Sequence, residues 1–232
     1  MTKILSKHEY KKLAIEAFKN GLRLHFDSIY LFNKGSYPSS LQLSIISLEE
    51  FSKSNWVEHY YWTSITNTGF PDAEFEQEWL RLLYQHPQKQ RAFFDWGLSR
   101  EYSPKFIKSI ENNELELLKQ NATYVGLRKE KNNIDIESRI SIPNKISKNE
   151  AKKMISMIND YLKDVCERKI LQDGYYNIDE KDDLITNKLY SQLKKWKYKT
   201  GLRSNKWFKE WMNTYNKVNT KSHITSAPSR PC

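Results

Sequence analysis

The sequence predicts an all-α protein, an antiparallel helical bundle followed by a basic, aromatic helical extension at the C-terminus. Apolar residues recur at three- and four-residue spacing over long segments, which is the period of an amphipathic helix. The 232 residues include only 7 Gly and 7 Pro, too few for the many turns of an all-β protein. No internal repeat with a period of about 20–50 residues is visible, which argues against a solenoid.

The first two helices are each expected to pack closely against another helix. Ser6 and Glu9 form a capping box at the start of the first helix, which should end near Asn33. Pro38 suits the first turn of the second helix, which should fade near Trp62. Small residues lie among the apolar positions of both helices, which predicts a close approach of backbones. On the first helix they are Ala14, Ala17 and Gly21.

A third helix is expected to break at a proline. Asp72 can cap its start, and Pro87 disfavours the α conformation of the preceding residue, His86. A new helical turn would then begin at Pro87 and lead through QKQRAFFDW. The break therefore falls at the histidine.

The second half of the bundle is predicted from two further helix starts. A Ser-Pro pair at Ser103 begins a helix that carries apolar residues as far as Leu118. From about residue 122 to 148 the helical pattern lapses, which is typical of extended segments and loops. Ser147 and Glu150 form a second capping box, which begins the last long helix.

These boundaries divide the chain into three parts. The helical bundle covers residues 6–171, a basic helical extension covers 180–216, and residues 217–232 are expected to be a disordered tail. Two short helices are predicted in the extension, at 184–196 and 205–215. From residue 180 onward there are 12 Lys and Arg against 4 Asp and Glu, so this part holds +8 of the net charge of +10. The bundle itself is nearly neutral.

Patterns typical of export, membrane insertion or metal binding are missing. The N-terminal residues contain no apolar signal region, and no run approaches the roughly 18 apolar residues of a membrane span. Cys166 and Cys232 form neither a disulfide framework nor a metal-binding spacing. No zinc spacing, Gly-rich phosphate loop or nucleophile elbow is present. We therefore expect a soluble, cytoplasmic protein that uses no metal or other cofactor.

The candidate chemistry lies in WLRLLYQHPQKQ, where Arg81 precedes His86 by five positions. On a straight helix, five residues turn the side-chain direction by about 140°, so the two groups would diverge. The break at Pro87 would let the histidine turn toward the arginine. The turn that follows contains Lys89 and would present unpaired N–H groups to an anion. Together these groups predict a phosphate pocket.

The same residues also have structural interpretations. The chain has 9 Arg and 5 His, so about half of one match to so loose a spacing is expected by chance. The structural interpretation of the pair is a surface arginine beside a helix-terminal histidine. Glu49 and Glu50 suggest acid–base groups or metal ligands, but adjacent carboxylates in a helix are more often one solvated and one structural. Glu50 is the better candidate for orienting Arg81 or Lys53. His25 lies on an apolar stripe, where a satisfied core histidine is expected.

The extension interleaves basic and aromatic residues in LKKWKYKTGLRSNKWFKEWMNTYNK. Such a mixture is typical of proteins that bind single-stranded RNA through phosphate contacts and base stacking. An amphipathic helix packed on the bundle would have the same pattern, and attachment to a membrane surface is a third interpretation. The candidate RNA-contacting residues are Trp196, Lys197, Lys199, Arg203 and Trp207.

Several of these features occur together in one order. Asn20 and Asp27 lie on the first helix, and Glu49, Glu50 and Lys53 lie on a second helix rich in small residues. A His-x-x-Lys segment in YQHPQK and the stretch LKQNATYVGL follow. In these respects the bundle resembles the AbiV-type abortive infection proteins, which belong to the HEPN superfamily of helical bundles.

The resemblance covers roughly residues 10–165 and implies an activity as well as an HEPN-like fold. Many HEPN proteins are metal-independent ribonucleases that act as dimers, and their signature is an arginine followed, after four to six residues, by a histidine. Arg81 and His86 match this signature as catalytic residues. Leu82 departs from the pattern, because many of these nucleases have Asn, Asp or His there. The supporting, phosphate-binding residues would be Lys89, Glu50 and Lys53.

The implied function is an antiphage protein that cleaves RNA and so shuts down translation. RNA carries its own nucleophile, the 2′-hydroxyl, so a histidine that moves protons and an arginine that holds phosphoryl charge would suffice. Two such pairs would meet in a homodimer, under the control of a phage-encoded activator or an antitoxin. The alternative is a non-enzymatic interaction protein that binds a phage or translation component.

Overall fold

The computed structural model describes residues 5–67, 69–95, 102–127, 129, 130, 133–172 and 174–202. Within these ranges most of the chain is helical, and two short strands form a small antiparallel hairpin. The all-α fold class is therefore confirmed. The elements in order are α1 (Lys7–Asn33), α2 (Tyr37–Thr66), α3 (Ala73–Leu82), α4 (His86–Asp95), α5 (Pro104–Glu111), α6 (Glu114–Asn121), β1 (Lys129–Glu130), β2 (Asn133–Ile134), a 3-10 turn (Pro143–Lys145), α7 (Lys148–Gln172), α8 (Asp179–Asp182) and α9 (Asn187–Leu193).

Helices α1 and α2 form an antiparallel hairpin whose register is fixed by three serines of α2 spaced seven residues apart. Three buried serines of α2, spaced seven residues apart, each donate a hydrogen bond to a backbone carbonyl of α1. The acceptors are also seven residues apart, as two antiparallel helices in close contact require. The bonds run from Ser40 to Ser28 at 2.8 Å, from Ser47 to Gly21 at 2.7 Å and from Ser54 to Ala14 at 2.7 Å.

The predicted close packing at the small residues of α1 is confirmed at Gly21. A Cβ added to this glycine would lie 2.8 Å from Cε1 of Phe51, a ring that is fully buried in the hairpin. The ring has no room to move, because interiors are close-packed. The absence of a side chain at this position therefore lets the two helices approach.

We expect Gly21→Val to lower the free energy of unfolding by about 1–3 kcal/mol through overpacking against Phe51. Urea denaturation followed by circular dichroism measures the change. The control is Lys19→Ala, two residues earlier on the exposed face of α1, which should change stability by less than about 0.5 kcal/mol. Equal stabilities for the two variants would contradict the close approach.

The remaining long helices cover the hairpin. Helix α7 packs against α1 and α2, and α4 packs against α2. Helix α3 is held by its aromatic residue Trp79, whose ring stacks on Tyr60 of α2 with centroids 4.0 Å apart. This stacking places the corner between α3 and α4 beside the middle of α2. No helix within the described ranges is long and apolar enough to span a membrane.

The caps predicted from the sequence are present, while two helix boundaries differ. Ser6, Asp72 and Ser147 all make their capping hydrogen bonds. Helix α2 continues four residues beyond the predicted end, to Thr66, and Ser64 is buried in this additional turn. The single helix predicted from Ser103 to Leu118 is divided into α5 and α6 at Asn113, which has a positive φ of 59°. Asparagine is one of the few residues that adopt this conformation readily.

Part of the predicted extension belongs to the same core as the bundle. Residues 174–202 lie along α1, α2 and α7, and several of their apolar side chains are buried. The short helix α8 was not predicted from the sequence. The helix predicted at 184–196 is α9, which spans Asn187–Leu193. The second predicted helix, at 205–215, lies outside the described residues. The buried side chains are Ile178, Ile185, Leu189, Leu193 and Trp196.

Candidate functional site

The helix breaks as predicted, but at residues 83–85 rather than at His86, which is the first residue of α4. Helix α3 ends at Leu82, and two turn hydrogen bonds, from Tyr84 N–H to Arg81 O and from Gln85 N–H to Leu82 O, close its end. Helix α4 begins at His86, with the Gln85 carbonyl accepting from Lys89 N–H. The corner therefore gives the histidine a new side-chain direction.

In that new direction His86 meets Glu49 of α2. Nδ1 of His86 lies 2.5 Å from Oε2 of Glu49. The Glu49 side chain is 1% exposed, whereas the His86 side chain is 51% exposed. Because an ionised carboxylate can only accept, Nδ1 carries the hydrogen and Nε2 is the ring nitrogen left for another partner.

Arg81 stands apart from this pair. Its side chain is exposed, and among the described residues it has no hydrogen bond or ion pair. The bond that the structure shows for the imidazole is to the buried carboxylate, and no bond joins His86 to Arg81 among the described residues. The two residues share one helical corner, and a ligand that contacts both would have to bridge them.

Glu49 is also held by two lysines and a glutamine. Its Oε1 accepts hydrogen bonds from Lys119 of α6 at 2.9 Å and from Gln90 of α4 at 2.8 Å. The ammonium of Lys89 lies 3.6 Å from Oε2. Burial lowers the pKa of Lys89, although Glu49 acts in the opposite direction. Lys89 was predicted to bind phosphate, and in the structure it is buried and directed at Glu49.

A second carboxylate, Glu116, completes the cluster that we call the Glu49 network, comprising Glu49, His86, Lys89, Gln90, Glu116 and Lys119. Ligand atoms of Glu49, His86 and Glu116 lie within 4.8 Å of one another, a grouping that in principle suits a metal ion. However, the Lys119 ammonium is 2.7 Å from Glu116 as well as 2.9 Å from Glu49. Burial alone would raise the pKa of Glu116, but Lys119 outweighs burial and the pKa is lowered. Lysine thus supplies the cation here.

Glu50 forms a separate set of bonds on the other side of α2. It accepts from Asn20 of α1 at 3.0 Å and pairs with Lys53 at 2.6 Å. The pairing of Glu50 with Lys53 agrees with the prediction, whereas no bond joins Glu50 to Arg81 among the described residues. Neither carboxylate is solvated, which corrects the expectation for adjacent glutamates. Consecutive helical residues point about 100° apart, so Glu49 faces α4 and α6 while Glu50 faces α1.

The other predicted residues have mixed positions. His25 is fully buried with Nε2 3.3 Å from Asn159 Oδ1, and burial lowers its pKa to about 4, as expected of a core histidine. The expectation that it is fully satisfied is not met, because Nδ1 has no hydrogen-bond partner among the described residues. Trp196 is buried and donates its indole N–H to Ser156. Lys197 and Lys199 are exposed. Arg203 and Trp207 lie outside the described residues.

Sequence reasoning missed the partners of His86. Lys119 and Glu116 belong to α6, about 30 residues beyond the histidine, and Glu49 is 37 residues before it. No local spacing connects groups so distant. The one available signal was the stretch LKQNATYVGL, which contains Lys119 and accompanied the family resemblance.

Comparison with known proteins gives one match. No curated protein and no solved structure is similar enough to match this chain. The family model HEPN_AbiV, described as AbiV, matches residues 9–163. The matched region is about two thirds of the chain and contains the hairpin, the helical corner and the whole Glu49 network. The chain therefore belongs to the AbiV family of HEPN proteins.

Proposed function

We propose that this protein is a metal-independent endoribonuclease that cleaves RNA in an antiphage abortive-infection response. Membership of the AbiV family supports the abortive-infection role. The observation that carries the catalytic part is the geometry of His86. Its Nδ1 is bound by a buried carboxylate while half of its side chain is exposed. A histidine oriented in this way is suited to exchange protons through Nε2.

The proposed reaction uses the 2′-hydroxyl of RNA as nucleophile. Nε2 of His86 takes the proton of the 2′-hydroxyl, whose oxygen attacks the neighbouring phosphorus. The bond from phosphorus to the 5′-oxygen breaks, and that oxygen leaves with a proton. The products are a 2′,3′-cyclic phosphate and a 5′-hydroxyl. Glu49 would stabilise the imidazolium that forms, as a carboxylate behind a catalytic histidine does.

Arg81 would act on the phosphate rather than on the histidine. Its exposed guanidinium, without a bond to any described residue, can hold the charge that develops on the phosphoryl oxygens. In a homodimer, the partner's protonated histidine would give the leaving oxygen its proton. Lys89 keeps Glu49 in place instead of binding phosphate, and Glu50 with Lys53 supports the hairpin. A phage-encoded activator or an antitoxin would control the enzyme.

The test is incubation of purified protein with total RNA in EDTA. Wild-type protein should cleave, leaving 2′,3′-cyclic phosphate ends, and His86→Ala should reduce the rate by about 10²–10⁴-fold. His8→Ala, an exposed histidine of α1, is the matched control and should cleave normally. The assay is repeated with an extract of phage-infected cells to supply an activator. Intact RNA under both conditions, or equal cleavage by His86→Ala, would contradict the proposal.

A second candidate function is a non-enzymatic interaction protein that binds a phage or translation component. The observation that favours it is the number of exposed apolar side chains in the segment between α6 and α7. Val125 is 70% exposed and Ile136 is 82% exposed, and large exposed apolar patches are typical of protein interaction sites. RNA that stays intact at high protein concentration, with and without infected-cell extract, would favour this function.

A further inference from the structure

A cavity at the C-terminal end of α1 is lined by residues typical of a nucleotide-binding site. Its volume is about 460 Å³, within the range of small-molecule sites. The C-terminal half of α1 forms one wall, and the end of α9 with the segment that follows forms the other. The cavity is lined by residues that include Phe26, Asn33, Gln192, Lys195, Lys197 and Tyr198.

The charged residues that line this cavity are all basic. Lys195 and Lys197 contribute two ammonium groups, and none of the described lining residues is acidic. Two other cavities among the described residues are both lined in part by Glu150. A third lysine, Lys152, lies 5.7 Å from the centroid of the Tyr198 ring. Such a cavity favours an anionic ligand.

The aromatic side chain at the mouth is fixed but accessible. Tyr198 is 46% exposed, and its ring packs edge-on against Trp196 with centroids 4.9 Å apart. Trp196 is itself held by its hydrogen bond to Ser156 at 2.8 Å. A rigid, exposed ring beside cations is what base stacking requires, because every base has a π-face that can lie on it.

The polar groups at the wall suit a nucleobase. The exposed side chains of Asn33 and Gln192 each offer both donors and acceptors, as the edges of an unpaired base do. Phosphate charge, a flat π-face and a mixed donor–acceptor edge are all features of one nucleotide.

We propose that this cavity binds a nucleotide of single-stranded RNA, with the base stacked on Tyr198 and the flanking phosphates on Lys195 and Lys197. The inference deepens the proposed ribonuclease function, on which it rests for the choice of RNA as ligand. The cavity would hold substrate RNA at a distance from His86. Trp196, one of the predicted RNA contacts, instead supports the ring that makes the contact.

The experiment measures binding of a fluorescent 2′-O-methyl RNA hexamer by anisotropy, using the full chain. This RNA has no free 2′-hydroxyl, so binding is read without cleavage. Tyr198→Ala should weaken binding by about 5- to 100-fold, and Tyr198→Phe should bind as wild type does. The matched control is Tyr30→Ala, because Tyr30 is another exposed tyrosine with a lysine over its ring but does not line the cavity. Equal binding by Tyr198→Ala and wild type would overturn the proposal.

The phosphate contacts are read from salt dependence. Lys195→Gln with Lys197→Gln should reduce the slope of log Kd against log salt by about 1.4, since each phosphate contact to a single strand contributes about 0.7. Lys7→Gln with Lys12→Gln, at the opposite end of α1, removes the same charge and should leave the slope nearly unchanged. Equal slopes for the two double variants would overturn the phosphate contacts.

Two further arms separate the outcomes. If 5′-AMP binds as tightly as the hexamer, the site takes free nucleotides and the RNA assignment is overturned. Tight binding of the hexamer by the wild type, together with weak binding by Tyr198→Ala, would support the cavity even if the protein never cleaves RNA. Conversely, if the wild type cleaves RNA and Tyr198→Ala cleaves it at the same rate, the proposed function stands and the nucleotide-binding cavity is overturned.

Discussion

Glu58→Ala is expected to destabilise the protein by about 3–5 kcal/mol, because it leaves a buried lysine without its carboxylate. The Lys181 ammonium is fully buried and lies 2.6 Å from Glu58 Oε2. Glu58 also accepts the backbone N–H groups of Asn177 and Ile178. One side chain of α2 therefore holds both the start of α8 and the cation within it. Chemical denaturation in urea at pH 7 measures the loss.

The loss should depend on pH in a defined direction. Burial lowers the pKa of Lys181 to about 8, although Glu58 acts in the opposite direction. The unfolded chain, with a lysine pKa of about 10.4, binds more protons than the folded chain between these two values, so folded stability rises with pH in this window. Removing Glu58 lowers the folded pKa of Lys181 further and widens the window. The deficit of Glu58→Ala should therefore be smaller at pH 9 than at pH 7.

Two variants serve as controls for this pair. Glu58→Gln with Lys181→Met removes both charges, keeps an amide oxygen that can accept the N–H groups of Asn177 and Ile178, and should recover most of the stability, because no buried charge is then left unpaired. Glu180→Ala removes the exposed pair with Lys11, whose atoms are 3.7 Å apart, and should change stability by less than about 1 kcal/mol. A double variant as unstable as Glu58→Ala alone would contradict the explanation by an unpaired buried charge.

Local signals predicted most of the fold. Capping boxes at Ser6 and Ser147 and a break just before Pro87 are confirmed, since each depends on residues within one helical turn. The burial of Lys181 was not predictable in this way. The segment DEKDD is typical of a solvated linker, and the partner of its lysine lies 123 residues earlier. Only the packed hairpin brings the two together.

In the candidate site, too, local features were predictable from the sequence and contacts between distant residues were not. The sequence predicts that His86 leaves the axis of α3, but the direction that it takes depends on the register of α2 against α4. Glu49 rather than Glu50 faces the histidine because the helix turns about 100° between them. The serine contacts that fix α1 against α2 could have been predicted from the sequence, since Ser40, Ser47 and Ser54 recur every seven residues. They would have indicated which face of α2 meets α1.

Glu49→Gln is expected to lower RNA cleavage by about 10²–10⁴-fold, if Glu49 orients the catalytic histidine. The amide keeps the size of the carboxylate but loses its charge, and its –NH₂ group can face the imidazole. The ring would then be free to adopt the other tautomer and would lose the anion that stabilises its protonated form. Cleavage assays over a range of pH should show the rate falling together with a change in the pH profile.

The matched control is Glu50→Gln, the neighbouring carboxylate, which contacts Asn20 and Lys53 and does not touch His86. It should retain most of the activity, since the hydrogen bond to Nδ1 is intact. Nitrogen-15 spectra of the imidazole give a readout that a purely structural role would not move. Wild type and Glu50→Gln should show a hydrogen on Nδ1 of His86, whereas Glu49→Gln should show a mixture of tautomers. If both variants lose activity equally with unchanged His86 spectra, Glu49 does not position the histidine, and the Glu49 network serves stability alone.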